Sequence, residues 1–97
     1  MNNNKVLIKL LVPSLNETYD VYIPVNETVN KVIKLMVKAV SDLSGQLINK
    51  DEEYILINLS TSREYKNNEI IIDTEIRNST ELILLSTKNK VINNIIK

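Results

Sequence analysis

The spacing of the apolar residues changes once in the first half of the chain, and this change constrains the fold most. Over Lys5–Val12, and again over residues 17–25, apolar residues alternate along the chain, which is the period of a half-buried strand. Over residues 29–43 they follow helical spacing instead. The sequence therefore predicts two β-strands followed by one amphipathic α-helix.

Both ends of the predicted helix carry residues that commonly cap helices. Thr28 precedes it, and its hydroxyl can accept a hydrogen bond from a free amide of the first turn. Gly45, the only glycine in the chain, follows it, where a left-handed residue closes the last carbonyls. We interpret Gly45 and the apolar stripe as structural features rather than a ligand site. Val32 and Met36 in that stripe are expected to be buried against a sheet.

The first two strands are close enough along the chain to form an antiparallel hairpin, with a turn at Pro13 and Asn16. After the helix, residues 54–59 and 81–85 are rich in β-forming side chains. A single helix with one continuous apolar stripe covers one face of a mixed sheet. We therefore predict an α+β β-grasp fold, with a mixed sheet of four to five strands packed on one α-helix. The first and last strands are expected to be parallel and adjacent at its centre, and the last to be buried on both faces.

The connection between the last two predicted strands shows weaker patterns. Residues 64–66 are consistent with a short return strand. Asp73 and Thr74 are suitable caps for one helical turn around Ile76.

Composition excludes several classes of function. The chain has no His and no Cys, and its 12 basic residues balance 12 acidic ones. The usual general base at neutral pH, a thiol nucleophile and most zinc ligands are therefore missing. A neutral chain has no particular attraction to nucleic acid or to an anionic membrane. We expect a non-enzymatic protein with no cofactor, no metal, no nucleic-acid partner and no direct membrane insertion.

Cellular location is predicted from similar absences. Without cysteine the sequence gives no sign of an oxidising compartment. The N-terminal stretch lacks the long apolar region and small-residue cleavage site of a signal peptide. A cytoplasmic protein is expected.

The order of the predicted elements resembles ubiquitin, and two stretches resemble more closely the YukD/EsaB family of small bacterial ubiquitin-like proteins. These stretches are "TVNKVIKLM" after the hairpin and "NNEIIIDTEIRNSTELILL" near the end. The resemblance covers about residues 5–85. It implies a cytosolic accessory component of a Gram-positive type VII secretion system, without enzymatic activity and with protein partners among the secretion components. The family supplies no motif residues to transfer.

Two other functions remain as alternatives. A covalent modifier or sulfur carrier ends in an exposed Gly-Gly, because an unbranched backbone threads the narrow channel of the activating enzyme. The final stretch "STKNKVINNIIK" contains no glycine, so this alternative is disfavoured. The other alternative is a general adaptor domain unrelated to secretion.

The first candidate contact surface is the face of the sheet opposite the helix. Side chains of the hairpin with the wrong parity for the helix side are expected to form a partly apolar patch there, beside one lysine. They are Leu7, Lys9, Leu11 and Tyr22.

The second candidate surface is a C-terminal tail. We expect a domain of residues 1–86 followed by a flexible tail of residues 87–97. Four aliphatic side chains of the tail would share one face if the segment were helical, and they are its candidate contact residues: Val91, Ile92, Ile95 and Ile96. The tail is expected to be ordered only by packing on the domain, on a neighbouring copy or on a partner, and the protein is expected to be a monomer or a weak homodimer.

Overall fold

The computed structural model describes residues 4–45 and 52–87 of the chain. Four strands and one helix make up its regular structure: β1 (Lys5–Val12), β2 (Glu17–Pro24), α1 (Val29–Ser44), β3 (Tyr54–Asn58) and β4 (Glu81–Ser86). Two short 3₁₀ turns lie between them, at Pro13–Leu15 and Ile71–Asp73. In the part of the chain that the structure describes, no helix has the length and hydropathy needed to cross a bilayer.

The strands form one mixed sheet in the order β2-β1-β4-β3. β1 pairs antiparallel with β2 along its whole length and parallel with β4, and β4 pairs antiparallel with β3. The prediction that the first and last strands are parallel neighbours at the centre is confirmed. With α1 packed on one face of this sheet, the predicted α+β β-grasp is confirmed.

The hairpin of β1 and β2 closes through residues suited to a tight turn. Pro13 begins a 3₁₀ turn, where its fixed φ is already favourable. Asn16 ends the turn in the left-handed region, at φ 54°, and its N–H donates to the Pro13 carbonyl over 3.0 Å. Pro24 ends β2, an edge strand, where a residue without an N–H is tolerated.

The two caps of α1 form as predicted. The Lys31 N–H donates to the Thr28 hydroxyl oxygen over 3.3 Å. Gly45 adopts φ 71°, and its N–H donates to the Ser41 carbonyl. Between the caps one face of the helix is buried, and Val32 and Met36 are fully shielded from solvent. The predicted burial of both residues against the sheet is confirmed.

The connection between β3 and β4 differs from its prediction in two places. The expected return strand at residues 64–66 is reduced to one bridge, between Ile57 and Glu64. The expected helical turn around Ile76 lies upstream, at Ile71–Asp73. The turn moves because the N–H of Ile71 donates to the carbonyl of Glu27, just before α1, which fixes this isoleucine under the helix.

Candidate interaction surface

The face of the sheet opposite α1 presents the four hairpin residues that the sequence indicated. Residues of β1 alternate between the two sides, so that Ile8 and Leu10 are buried while Leu7 and Leu11 are half-buried on the open side. Tyr22 is directly opposite Leu7 across the hairpin, and it is 67% exposed.

Strand register extends this apolar surface across β4 and β3. Leu11 pairs with Ile83 of β4, and Ile83 pairs with Ile57 of β3. Paired residues project to the same face, at a strand spacing of about 4.8 Å, so these side chains are neighbours. We call the resulting surface the sheet band. All of its aliphatic members are half-buried: Leu7, Leu11, Ile55, Ile57, Ile83 and Leu85.

Four members of the sheet band were missed from the sequence. The last strand was expected to be buried on both faces, whereas only Leu82 and Leu84 are buried on the helix side. Ile83 and Leu85 remain partly exposed because, within residues 4–45 and 52–87, the α-helix lies on the opposite side of the sheet. For Ile83 and Leu85, the alternation of side chains along β4 was the available signal. Ile55 and Ile57 also required the register of β3, which the sequence does not specify.

Polar groups lie within the sheet band and beside it, and Lys9 stands between Leu7 and Leu11 on the open face of β1. Lys9 forms an ion pair with Asp20 across the hairpin at 3.5 Å, with both side chains more than half exposed. Such a pair contributes about 0–1 kcal/mol to folding. The loop before β4 is fixed more firmly, because the Asn78 carboxamide oxygen accepts from the Leu7 N–H and the Ser79 N–H donates to the Leu7 carbonyl, both at 2.8 Å. These bonds attach the loop before β4 to β1 beside the band.

A second polar cluster lies in the connection between β3 and β4. The hydroxyl of Tyr65, a buried residue, donates to a Glu75 carboxylate oxygen at 2.6 Å and accepts from the Asn58 side-chain amide at 3.1 Å. Arg63 bonds to Glu75 and to Glu69, and its guanidinium carbon is 4.7 Å from the centre of the Tyr65 ring. The cluster therefore ties β3 to the segment that precedes β4.

The pKa shifts in this cluster indicate a structural role. Burial, together with the hydrogen bond to Glu75, raises the pKa of Tyr65 to about 12. That same hydrogen bond is the main cause of the lowered pKa of Glu75. At neutral pH the pair is thus a protonated phenol beside a carboxylate, with no tendency to exchange the proton.

No group of three or more potential metal ligands occurs within residues 4–45 and 52–87.

A groove lies between α1 and the start of β3, with a volume of about 940 Å³. Its lining includes Ile33 and Val37 of the helix and Tyr54 of the strand. Thr87, the last residue that the structure describes, also lines it. The predicted tail contacts, Val91, Ile92, Ile95 and Ile96, lie outside the described residues.

Comparison with known proteins identifies the fold. No protein-family model matches the chain, and no curated protein matches it. A chain of the toluene 4-monooxygenase HD complex is similar with a TM-score of 0.70 at 5% identity, over 84% of this chain and 98% of that one. A ubiquitin-like domain of an Arabidopsis thaliana protein gives 0.58 at 12% identity, over 87% and 79% of the two chains. A chain of the ESX-5 inner membrane complex gives 0.63 at 8% identity, over 96% of this chain but only 26% of that one.

Identities this low show a shared fold alone. Together with the four-stranded mixed sheet and the single α-helix of the described residues, they define the fold as a ubiquitin-like β-grasp.

Proposed function

We propose that this protein is a non-enzymatic interaction module, an accessory component of a Gram-positive type VII secretion system, acting in the cytoplasm. It binds a protein of that system through the sheet band. The observation that carries this proposal is the continuous apolar surface across three strands on the side of the sheet that α1 leaves open.

The sheet band has the composition of an interface centre. Its aliphatic side chains lie on both sides of a charged row, in which Lys9 stands between Leu7 and Leu11 and pairs with Asp20 on β2. An exposed aromatic residue, Tyr22, is opposite Leu7. Protein interfaces commonly combine apolar and aromatic contacts, which supply affinity, with charged groups that contribute specificity. Contiguous apolar surface on a small domain is a recognised mark of a binding site. A partner of matching chemistry presents aliphatic side chains to the two apolar parts of the band and charged groups of both signs to the row between them.

The assignment to secretion is supported by two features. The stretches "TVNKVIKLM" and "NNEIIIDTEIRNSTELILL" resemble the YukD/EsaB family, and they contain much of the helix and the last strand of the structure. A chain of an inner membrane complex also has this fold, which supports a partner within a membrane-associated assembly.

The test is the affinity of the protein for secretion-system components, compared between two Leu→Asp variants. Leu11→Asp places a charge in the sheet band. Leu35→Asp places the same charge on an exposed position of α1, on the other side of the molecule. We expect Leu11→Asp to weaken binding at least about tenfold while the domain stays folded, and Leu35→Asp to leave the Kd unchanged.

Two outcomes would overturn parts of the proposal. Equal affinities in both variants would remove the sheet band from binding. The second outcome concerns the secretion assignment. If the only binding that Leu11→Asp abolished were to a protein from outside the secretion system, the protein would be a general adaptor and that assignment would be wrong.

A further inference from the structure

The charged row of the sheet band extends beyond the pair of Lys9 and Asp20. Strand register places Glu81, the first residue of β4, directly beside Lys9. All three side chains are exposed on the open side of the sheet, so the row consists of Asp20, Lys9 and Glu81 across β2, β1 and β4. Within residues 4–45 and 52–87, no ion pair involves Glu81. The row therefore alternates in charge, and its last carboxylate is available for a contact outside the chain.

The next row along the two central strands is apolar. Leu11 and Ile83 are paired there, two residues beyond Lys9 and Glu81 respectively. Both are half-buried on the same open side as the charged row. At its centre the sheet thus presents a lysine beside a glutamate, followed by a leucine beside an isoleucine.

This centre is complementary to a second copy of itself. The midpoint of the sheet lies between β1 and β4, because the strand order is β2-β1-β4-β3. A two-fold axis that runs along the strands at this midpoint places β1 of each copy over β4 of the other. Lys9 then faces Glu81 of the other copy, and Leu11 faces Ile83 of the other copy, each twice. An axis that runs across the strands would bring each charge onto its own equivalent, so the axis along the strands is the complementary one.

The geometry of packed sheets allows these contacts. Sheets that pack face to face keep their strand directions within about 30° of each other, as this axis requires. They lie about 10 Å apart, a distance that a lysine and a glutamate side chain can span together.

From this complementarity we propose that the free protein covers its sheet band with a second copy of itself, in a two-fold symmetric dimer. The charge contacts between Lys9 and Glu81 fix the register, and the contacts between Leu11 and Ile83 lie beside them. A secretion component then binds by replacing the second copy. This exchange rests on the proposed function, whereas the dimer itself does not.

The size of the face makes the dimer weak. Four strands about 4.8 Å apart and six residues of about 3.3 Å each give one face of about 20 by 20 Å. Side chains that project from the face enlarge its accessible area, so two faces bury on the order of 1,000 Å² in total. Stable specific interfaces bury about 1,200–2,000 Å². The dimer should therefore dissociate on dilution, which suits a surface that exchanges partners.

Charge reversal in the full chain tests the dimer by sedimentation equilibrium over a range of protein concentrations. Lys9→Glu places two carboxylates face to face, and Glu81→Lys places two ammonium groups face to face, at both contacts because of the two-fold axis. We expect either variant to weaken self-association at least about tenfold. The control Asp42→Lys makes the same change in net charge on the exposed side of α1 and should leave self-association unchanged.

Mixing the two variants gives a sharper comparison. In a mixed dimer of Lys9→Glu with Glu81→Lys, the two substituted side chains face each other with opposite charges at one contact. The unsubstituted lysine and glutamate face each other at the other contact. We therefore expect the equimolar mixture to recover association close to that of the unsubstituted protein, which neither variant shows alone. Circular dichroism establishes that each variant is folded.

A measurement on the unsubstituted protein does not depend on how the variants fold. Isotope-filtered NOE spectra of a mixture of labelled and unlabelled chains report contacts between copies only. We expect such contacts between the methyl groups of Leu11 and Ile83.

Three results would overturn the dimer. They are a protein that stays monomeric at every concentration, folded variants that associate as the unsubstituted protein does, and folded variants whose mixture fails to recover association. Intact binding of a secretion component at the sheet band of a monomeric protein would overturn this inference alone. A confirmed dimer whose sheet band binds no secretion component would support this inference and overturn the proposed function alone.

Discussion

At the scale of single residues, the structure separates core residues from surface residues sharply. Met36 is fully buried between α1 and the sheet, whereas Leu35 next to it is 42% exposed. Helical geometry explains the difference, since neighbouring positions on a helix are about 100° apart. A shift of one residue along the helix therefore moves an apolar side chain from the core to the surface.

Met36→Asp is expected to unfold the domain. It places an unpaired charge in an apolar core, at a loss of at least about 3–5 kcal/mol, which is comparable with the whole stability of a small domain. The control Met36→Leu conserves volume and is expected to lose less than about 1.5 kcal/mol. Urea denaturation followed by circular dichroism measures both. An Asp variant with an unchanged midpoint would refute the burial of Met36.

The hydrogen bond from Tyr65 to Glu75 predicts how stability depends on pH. The pKa of Tyr65 is raised from 10.0 to about 12 by folding, so its contribution is complete below pH 10 and is lost as pH rises towards 12. The pKa of Glu75 is lowered from 4.5, so its contribution is complete above that pH and is lost as acid protonates the folded carboxylate. Tyr65→Phe is expected to make the urea midpoint depend less on pH, both in the acid region of Glu75 and in the alkaline region of Tyr65. Unchanged curves would show that the hydrogen bond is not formed in solution.

At the scale of elements, the regular parts were predictable from local patterns. The hairpin followed from alternation, and α1 followed from helical spacing between Thr28 and Gly45. The turn at Ile71–Asp73 did not, because three consecutive isoleucines have no period that shows which one is buried. That choice depends on the bond from Ile71 to Glu27, which is distant in sequence.

Gly45→Ala isolates the cost of the left-handed end of α1. A Cβ added at Gly45 meets no atom within 4 Å, so the φ of 71° is the only source of strain. The expected loss of unfolding free energy is about 1–2 kcal/mol. In a domain of this size, each kcal/mol lowers Tm by about 4–8 °C. Gly45→Asn should lose less, because Asn tolerates this region better. Equal losses for the two variants, by differential scanning calorimetry, would contradict the assigned conformation.

At the scale of the whole molecule, one sheet separates two environments. The helix side forms the core, and the opposite side presents the half-buried sheet band, so we expect substitutions in the band to destabilise the fold less than substitutions in the core. The hairpin half of the band was predictable from parity. The alternation of side chains along β4 also indicated which of its residues share a face, but not that this face stays uncovered in the described residues. Ile55 and Ile57 of β3 were not predictable, because their place depends on which strands become neighbours.

We propose that the sheet band is the surface that contacts a protein partner. Methyl cross-saturation in the full chain bound to a secretion-system component tests it most directly. The exposed residues Leu35 and Leu43 of α1 serve as internal controls. We expect signals from Leu11, Ile57 and Ile83 to lose intensity on binding, while those of the two helix leucines keep theirs. Loss of intensity at Leu35 and Leu43, with the sheet band unaffected, would place the partner on the helix and contradict the account.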